Sequence, residues 1–192
     1  MKHFLLLILL APAFLVLSCV STAGRSEISR NLTDSGIKTE EQLYDFFMSA
    51  HPDADKAEVA RLAALYVQEA AAEGINSDCA FAQMCLETGF LRFGNLVTPE
   101  MHNYCGLGAI DADHPGETFA TEQLGVRAHI QHLHAYATDE SSVLNNECID
   151  RRYRYVQPRG KSPTIEGLSG TWAADKSYSA KLEQLLVRME SF

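Results

Sequence analysis

The sequence predicts a mainly α domain with a cleft built from loops, an expectation that rests on three observations. Apolar residues recur at helical spacing in five separate stretches, and almost none alternate at the strand period. Two long segments, 90–120 and 138–170, are rich in Gly, Pro, Asn and Asp and carry no apolar stripe. At most a short β-hairpin is expected, around Gly106 to Ala109 and Glu117 to Ala120, so α+β is the outer limit.

The helices follow in order. Thr39-Glu40-Glu41-Gln42 opens the first as an N-cap, with Leu43, Phe46, Phe47 and Ala50 on one face and a stop before Pro52. Asp53 or Asp55 caps the second, whose stripe of Val59, Leu62, Ala63, Tyr66, Val67 and Ala70 runs to Gly74. A third starts at Asn76-Ser77-Asp78 and runs through Glu87, with Gly89 as its stop. The fourth spans about Thr121 to Ala137, with Val126, Ile130, Leu133 and Ala137 inward. A last helix, roughly Ser177 to Glu190, carries Tyr178, Leu182, Leu185, Leu186 and Met189.

The first residues read as a targeting segment. A basic start, Met1-Lys2-His3, precedes an apolar run from Phe4 to Leu17, too short for a comfortable membrane span. It ends in Leu15-Val16-Leu17-Ser18-Cys19, which resembles the lipobox of bacterial lipoprotein signals. That resemblance implies cleavage after Ser18, lipid on Cys19, and an exported chain anchored to a bacterial membrane by that lipid. An ordinary secretory signal or an uncleaved anchor is the alternative. Residues 1–18 are thus expected to be signal, 19–38 a flexible tether, and 39–192 one domain with enough apolar content for a core.

Charge narrows the partners. The chain carries 25 Asp and Glu against 16 Lys and Arg, a net charge of −9, which argues against nucleic acid and against electrostatic adhesion to an anionic membrane. Four cysteines remain after Cys19. Cys79 and Cys85 fall on one predicted helix six positions apart, roughly 9 Å along its axis, beyond a normal bridge. In an oxidising compartment, Cys85–Cys105 with Cys79–Cys148 is the preferred pairing, and four free buried thiols are the alternative.

The most informative stretch is Phe81-Ala82-Gln83-Met84-Cys85-Leu86-Glu87-Thr88-Gly89. It places one carboxylate at the end of an apolar helix, among Met84, Leu86 and Phe90, where ionisation is costly and the pKa should rise. A carboxyl that keeps its proton can act as a general acid. Asn103-Tyr104-Cys105-Gly106-Leu107-Gly108 follows as a polar and aromatic pair entering a Gly-flanked turn.

These residues resemble a known family. Ala82-Gln83-Met84-Cys85-Leu86-Glu87-Thr88-Gly89 is similar to the signature of the bacterial glucosaminidase domain, family 73 of the glycoside hydrolases. Asn103 to Gly108 resembles its next element, Gly125 to Leu133 its following helix, and Gly170-Thr171-Trp172-Ala173 with Asp175 and Tyr178 its closing segment. The resemblance spans about residues 57 to 189. It implies a lysozyme-like α fold and cleavage of β-1,4 bonds next to N-acetylglucosamine, normally in peptidoglycan. Glu87 falls on the family's general acid and Tyr178 on a tyrosine bordering the cleft.

The second catalytic group stays open. Many members place a carboxylate on a hairpin some thirty residues beyond the acid, where this chain has Glu117 and Glu122, with Glu100 earlier. Glu117 acting as a base on water would give inversion; attack by the substrate's own acetamido oxygen, oriented by Asn103 or Tyr178, would give retention. Asn103, Tyr104, Phe119 and Trp172 are the candidate substrate contacts. The cluster Arg151-Arg152-Tyr153-Arg154-Tyr155 either grips substrate carboxylates or is a solvated loop paired with local acids.

Two other chemistries are set aside. His129, His132 and His134 lack an H-E-x-x-H pattern or a carboxylate partner in sequence, so no metal and no cofactor is expected. No motif supports Cys105 or Cys148 as a peptidase nucleophile. The expectation is a lipid-anchored, monomeric peptidoglycan hydrolase. The alternatives are an endo-N-acetylglucosaminidase on other glycans and a non-catalytic wall-binding lipoprotein.

Overall fold

A computed structural model of the protein describes residues 27–192. The expected signal segment, Cys19 and the first part of the expected tether lie outside the described residues.

Five α-helices appear where the apolar stripes place them: α1 (Glu40–Ala50), α2 (Lys56–Glu73), α3 (Ser77–Thr88), α4 (Glu122–Ala137) and α5 (Tyr178–Met189). Local chemistry sets most of their starts. Thr39 Oγ1 accepts from Gln42 N while Gln42 Oε1 accepts from Thr39 N, a reciprocal capping box. Asp55, Asn76 and Thr121 each accept backbone N–H groups at the starts of α2, α3 and α4. Gly89 closes α3 in the left-handed region, which glycine enters without a Cβ penalty.

The arrangement is centred on α3. From Ser77 to Cys85 every residue of it is buried, and it packs against each of the other four helices. A helix enclosed on all sides is the tertiary counterpart of its nearly unbroken apolar sequence. Around it α1, α2 and α5 bury Phe46, Phe47, Leu62, Tyr66, Leu182 and Leu186. The α2–α4 contact carries a polar tie, Arg127 on buried Glu69 at 2.8 and 3.0 Å. Gly125 in α4 is needed for close approach, because a Cβ there would lie 1.8 Å from His102 O. Described residues hold one two-stranded antiparallel sheet, β1 (Ala109–Asp111) with β2 (His114–Pro115). This is the lysozyme-like fold.

Three expectations need correction. The hairpin is displaced to 109–115, because Gly106 and Gly108 take positive φ and Asp111 Oδ1 accepts from Asp113 N and His114 N to make the turn. Residues 27–38 are not a tether: Ile28 and Leu32 are buried in the core, and Asn31 bridges Thr164. Arg30 forks onto Glu183 at 2.6 and 2.8 Å and reaches Glu190 at 2.6 Å, closing this segment over α5. Among the described residues the cysteines are unpaired: Cys79, Cys85 and Cys105 are buried thiols, and Cys148 is an exposed one. Cys85 lies two positions before Glu87, on nearly the opposite side of α3, whereas Cys105 lines the cleft beside Glu87. Cys79 Sγ donates to Ser29 O and Cys148 Sγ to Asp150 O, in different parts of the molecule.

Asp78 anchors the N-terminal segment to α3. Its buried carboxylate accepts from Ile37 N at 2.8 Å and Lys38 N at 3.2 Å. Asp78→Ala strands two backbone donors and should lower the unfolding free energy by about 1–3 kcal/mol, read from urea denaturation.

Candidate active site

Glu87 stands in the last turn of α3 at the base of a cleft of about 430 Å³. Phe93, Asn95, Leu96 and Val97 line it, as does the turn Cys105 to Ala109. His132 and Tyr136 of α4, with Arg152, Trp172 and Ala173, complete the lining.

The carboxyl is gripped at one oxygen. Tyr178 Oη donates to Glu87 Oε1 at 2.5 Å and Trp172 Nε1 donates to the same atom at 3.0 Å. Behind Tyr178 runs a buried chain of polar groups. Gln83 Nε2 donates to Tyr178 Oη at 2.7 Å; His129 Nε2 meets Gln83 Oε1 at 3.1 Å, and Tyr66 Oη meets His129 Nδ1 at 2.8 Å. Because Gln83 Oε1 can only accept, His129 carries its proton on Nε2, and Nδ1 accepts from Tyr66. Every O–H and N–H in the chain therefore points toward Glu87. Burial pushes the His129 pKa down to about 3, so the imidazole is neutral and the direction is kept.

Opposing effects act on Glu87. Burial raises its pKa, while the donors Tyr178 and Trp172 favour the ionised form and lower it; burial wins, and the pKa stands above its ordinary value. Tyr178 is pushed upward by burial and by the Glu87 charge, which keeps it protonated as a donor. With Oε1 occupied by two donors, the acid's proton belongs on Oε2.

The neighbours of the carboxyl differ from those expected. Phe90 turns away to pack on Phe46 and Phe47, because the backbone is left-handed at Gly89, Phe90 and Leu91. Such residues cost roughly 1–2 kcal/mol each outside glycine. Thr88 supports the turn by donating from Oγ1 to Met84 O at 2.8 Å and accepting there from Leu91 N at 2.9 Å. Tyr178 and Trp172 take the place of the apolar residues near in sequence.

The other candidates fall into distinct places. Trp172 lines the cleft, but its N–H is committed to Glu87. Asn103 also borders the cleft as a clamp: Nδ2 donates to Leu107 O and Glu117 O, and Oδ1 accepts from Leu107 N. Tyr104 is not a sugar platform, since it is buried in the main core. Phe119 is likewise buried, in a small cluster with Cys105, Leu107 and Ala128. Glu117 does not line the cleft; its carboxylate is 3.5 Å from Arg151. Glu122 is forked by Arg61 at 2.8 and 2.9 Å, and Glu100 is exposed on a 3-10 turn. Of the basic cluster, Arg152 reaches the cleft. Among the described residues no group of three or more His, Cys, Asp and Glu could hold a metal ion.

Sequence reading missed the roles of Gln83, His129 and Thr88 and the pair His132–Asp150, joined at 2.7 Å. Gln83 had a usable signal, since it precedes Glu87 by four positions and so shares its helix face.

Comparison with known proteins decides the family. The profile described as glucosaminidase, mannosyl-glycoprotein endo-beta-N-acetylglucosaminidase, matches residues 63–191. The chain belongs to the glucosaminidase family. It is accordingly a glycoside hydrolase. A protein of Borreliella burgdorferi is 40% identical over 149 residues, covering 78% of this chain and 72% of that protein. Among solved structures, Staphylococcus aureus autolysin E in complex with a muropeptide matches with a TM-score of 0.54 at 12% identity, over 86% of this chain and 73% of that one. A catalytic mutant of the same autolysin in complex with the disaccharide NAG-NAM matches at 0.52 and 10%, with the same coverage. These likenesses show that the glucosaminidase-family chain shares their fold.

The raised pKa of Glu87 has a consequence for stability. A buried group whose folded pKa exceeds its unfolded value opposes folding once it ionises. Glu87→Gln, which keeps an oxygen for Tyr178 and Trp172, should resist urea better than the wild type at pH 7. That advantage should shrink as pH falls through the raised pKa and vanish below the ordinary 4.5.

Proposed function

We propose that this chain hydrolyses the glycan strand of peptidoglycan at β-1,4 bonds next to N-acetylglucosamine, with Glu87 as the general acid. The observation that carries the reading is the state of Glu87: part-buried in the lining of a cleft, raised in pKa, and held by two donors at Oε1, which leaves Oε2 for the proton. A protonated Oε2 delivers its proton to the glycosidic oxygen as the C1–O bond breaks. Once ionised, the carboxylate is stabilised by the Tyr178 and Trp172 donors, which strengthen as negative charge develops on it. The wall as substrate is supported by the family match and by autolysin E, whose complexes hold a muropeptide and a NAG-NAM disaccharide. Lipid on Cys19 would keep the domain beside that wall.

Incubating residues 27–192 with purified sacculi tests the reading. The native domain should release reducing ends, and Glu87→Gln should lower kcat about 10²–10⁴-fold with the fold intact by circular dichroism. Undiminished release by Glu87→Gln would refute the assignment. Binding to sacculi without release would make the chain a wall-binding protein instead. Release from other N-acetylglucosamine glycans but not from sacculi would move the substrate.

A further inference from the structure

Hydrolysis at an anomeric carbon needs a second group to complete what the acid begins. Among the described residues that line the cleft, Glu87 is the sole carboxylate. Glu117 and Glu122 are engaged by Arg151 and Arg61, and neither reaches the lining. What the cleft does present is His132. Its Nδ1 lies 2.7 Å from Asp150 Oδ2, and Asp150 is buried with its other oxygen accepting from Arg152 N at 2.8 Å. Gln131, next to His132 on α4, accepts from Ile149 N and Asp150 N at 2.8 and 3.2 Å, which ties the Asp150 loop to the helix.

This geometry selects a tautomer. A carboxylate can only accept, so the imidazole proton sits on Nδ1 and Nε2 offers a lone pair. No protein group among the described residues bonds Nε2, and it is absent from the buried polar atoms that lack a partner, so it is open to the cleft. The Trp172 indole touches both groups: its N–H binds Glu87 Oε1, and its ring meets the His132 ring edge-on at 5.1 Å and 73°. Acid and histidine are thereby held on one rigid spacer in one cleft.

We propose that His132, oriented by Asp150, is the catalytic base of this site and that the enzyme therefore inverts the anomeric carbon. The inference rests on the reading of Glu87 as the acid. In the step, a water oxygen bonds to C1 while the C1–O4 bond breaks and its electron pair leaves with O4. The water proton passes to His132 Nε2, and the Glu87 proton passes to O4. His132 ends as an imidazolium paired with Asp150, and Glu87 ends as a carboxylate on its two donors. Proton exchange with solvent restores both groups. Attack opposite the leaving oxygen turns a β-linkage into an α product.

Proton NMR of the wild-type reaction on a soluble glycan fragment of peptidoglycan supplies the first test. The α-anomer should appear first. If the β-anomer appears first, His132 is no base on water and the proposal falls, while the Glu87 assignment survives. Chemical rescue supplies the second. His132→Ala should lower kcat about 10²–10⁴-fold, and sodium azide, a nucleophile that needs no base, should restore at least about a tenfold gain and yield an α-glycosyl azide. Folded His132→Ala that binds glycan but is not rescued overturns the proposal, as does His132→Ala with undiminished kcat. Asp150→Asn should lower kcat with little change in KM, and Glu117→Gln should keep wild-type activity. Loss in Glu117→Gln together with activity in His132→Ala would return the role to the hairpin. If His132→Ala does not fold, His132→Gln, which keeps a side chain of similar size and cannot act as a base, takes its place in the rescue with the same outcomes. A wild type that releases nothing defeats the Glu87 reading itself.

Discussion

One interaction organises this molecule, the double hydrogen bond on Glu87 Oε1. A carboxyl buried without partners would only be neutral; a carboxyl fully bonded in the interior would only be an anion. Tyr178 and Trp172 bond one oxygen and leave the other to the cleft, so the group is kept near the balance between its two states. The balance depends on polarity upstream. If Tyr178 accepted from Glu87 instead of donating, the support for the ionised form would be lost. Gln83, His129 and Tyr66 prevent that reversal, because each link has one possible direction while His129 stays neutral. Low dielectric around the chain makes each bond stronger and a missing one costlier.

That arrangement dictates much of the surrounding fold. Gln83 and Glu87 share one face of α3, and both must look toward α5 and the Trp172 loop for the chain to close. A helix buried on every side holds its rotation rigidly, which is why α3 sits at the centre and not on the surface. The turn after it has to leave abruptly to open the cleft, and it does so through left-handed Gly89, Phe90 and Leu91. Thr88 is the local compensation for that strain. Asn103 performs a comparable service elsewhere in the lining, pinning the glycine-rich turn with three hydrogen bonds. Asn103, Tyr104 and Phe119, candidate substrate contacts in sequence, thus serve the walls and the core, and the cleft surface is left to others, among them Arg152, His132, Tyr136 and the Trp172 indole.

Family membership and this geometry agree on a glycoside hydrolase, and they divide the labour differently. The family match covers the order of motifs along the chain, whereas the coordinates show which side chains meet. Two acids that sequence spacing offers as partners for Glu87 are held by arginines outside the cleft lining. His132, one of three histidines set aside as metal ligands because no carboxylate stood near them in sequence, lines the cleft instead, bonded to buried Asp150. Eighteen positions separate His132 from Asp150, so no local pattern could have joined them.

By itself the sequence determined the five helices, the caps of the first and third, and the position of Glu87 near the end of the third. Capping and apolar periodicity act over three or four residues, so Thr39, Asn76 and Gly89 announce their roles without help from the rest of the chain, while the choice of Asp55 over Asp53 waited for the structure. Tertiary structure alone decided what surrounds the acid, since Trp172 and Tyr178 stand 85 and 91 residues beyond it. It also decided that residues 27–38 are part of the core, because Ile28, Leu32 and Arg30 look like linker until Thr164, Glu183 and Glu190 come to meet them. The thiols follow the same rule. Their spacing allowed bridges, and only the opposed faces of α3 and the cleft kept Cys85 and Cys105 apart. Contacts between distant segments depend on how helices rotate against each other, and that is a property of the packed chain.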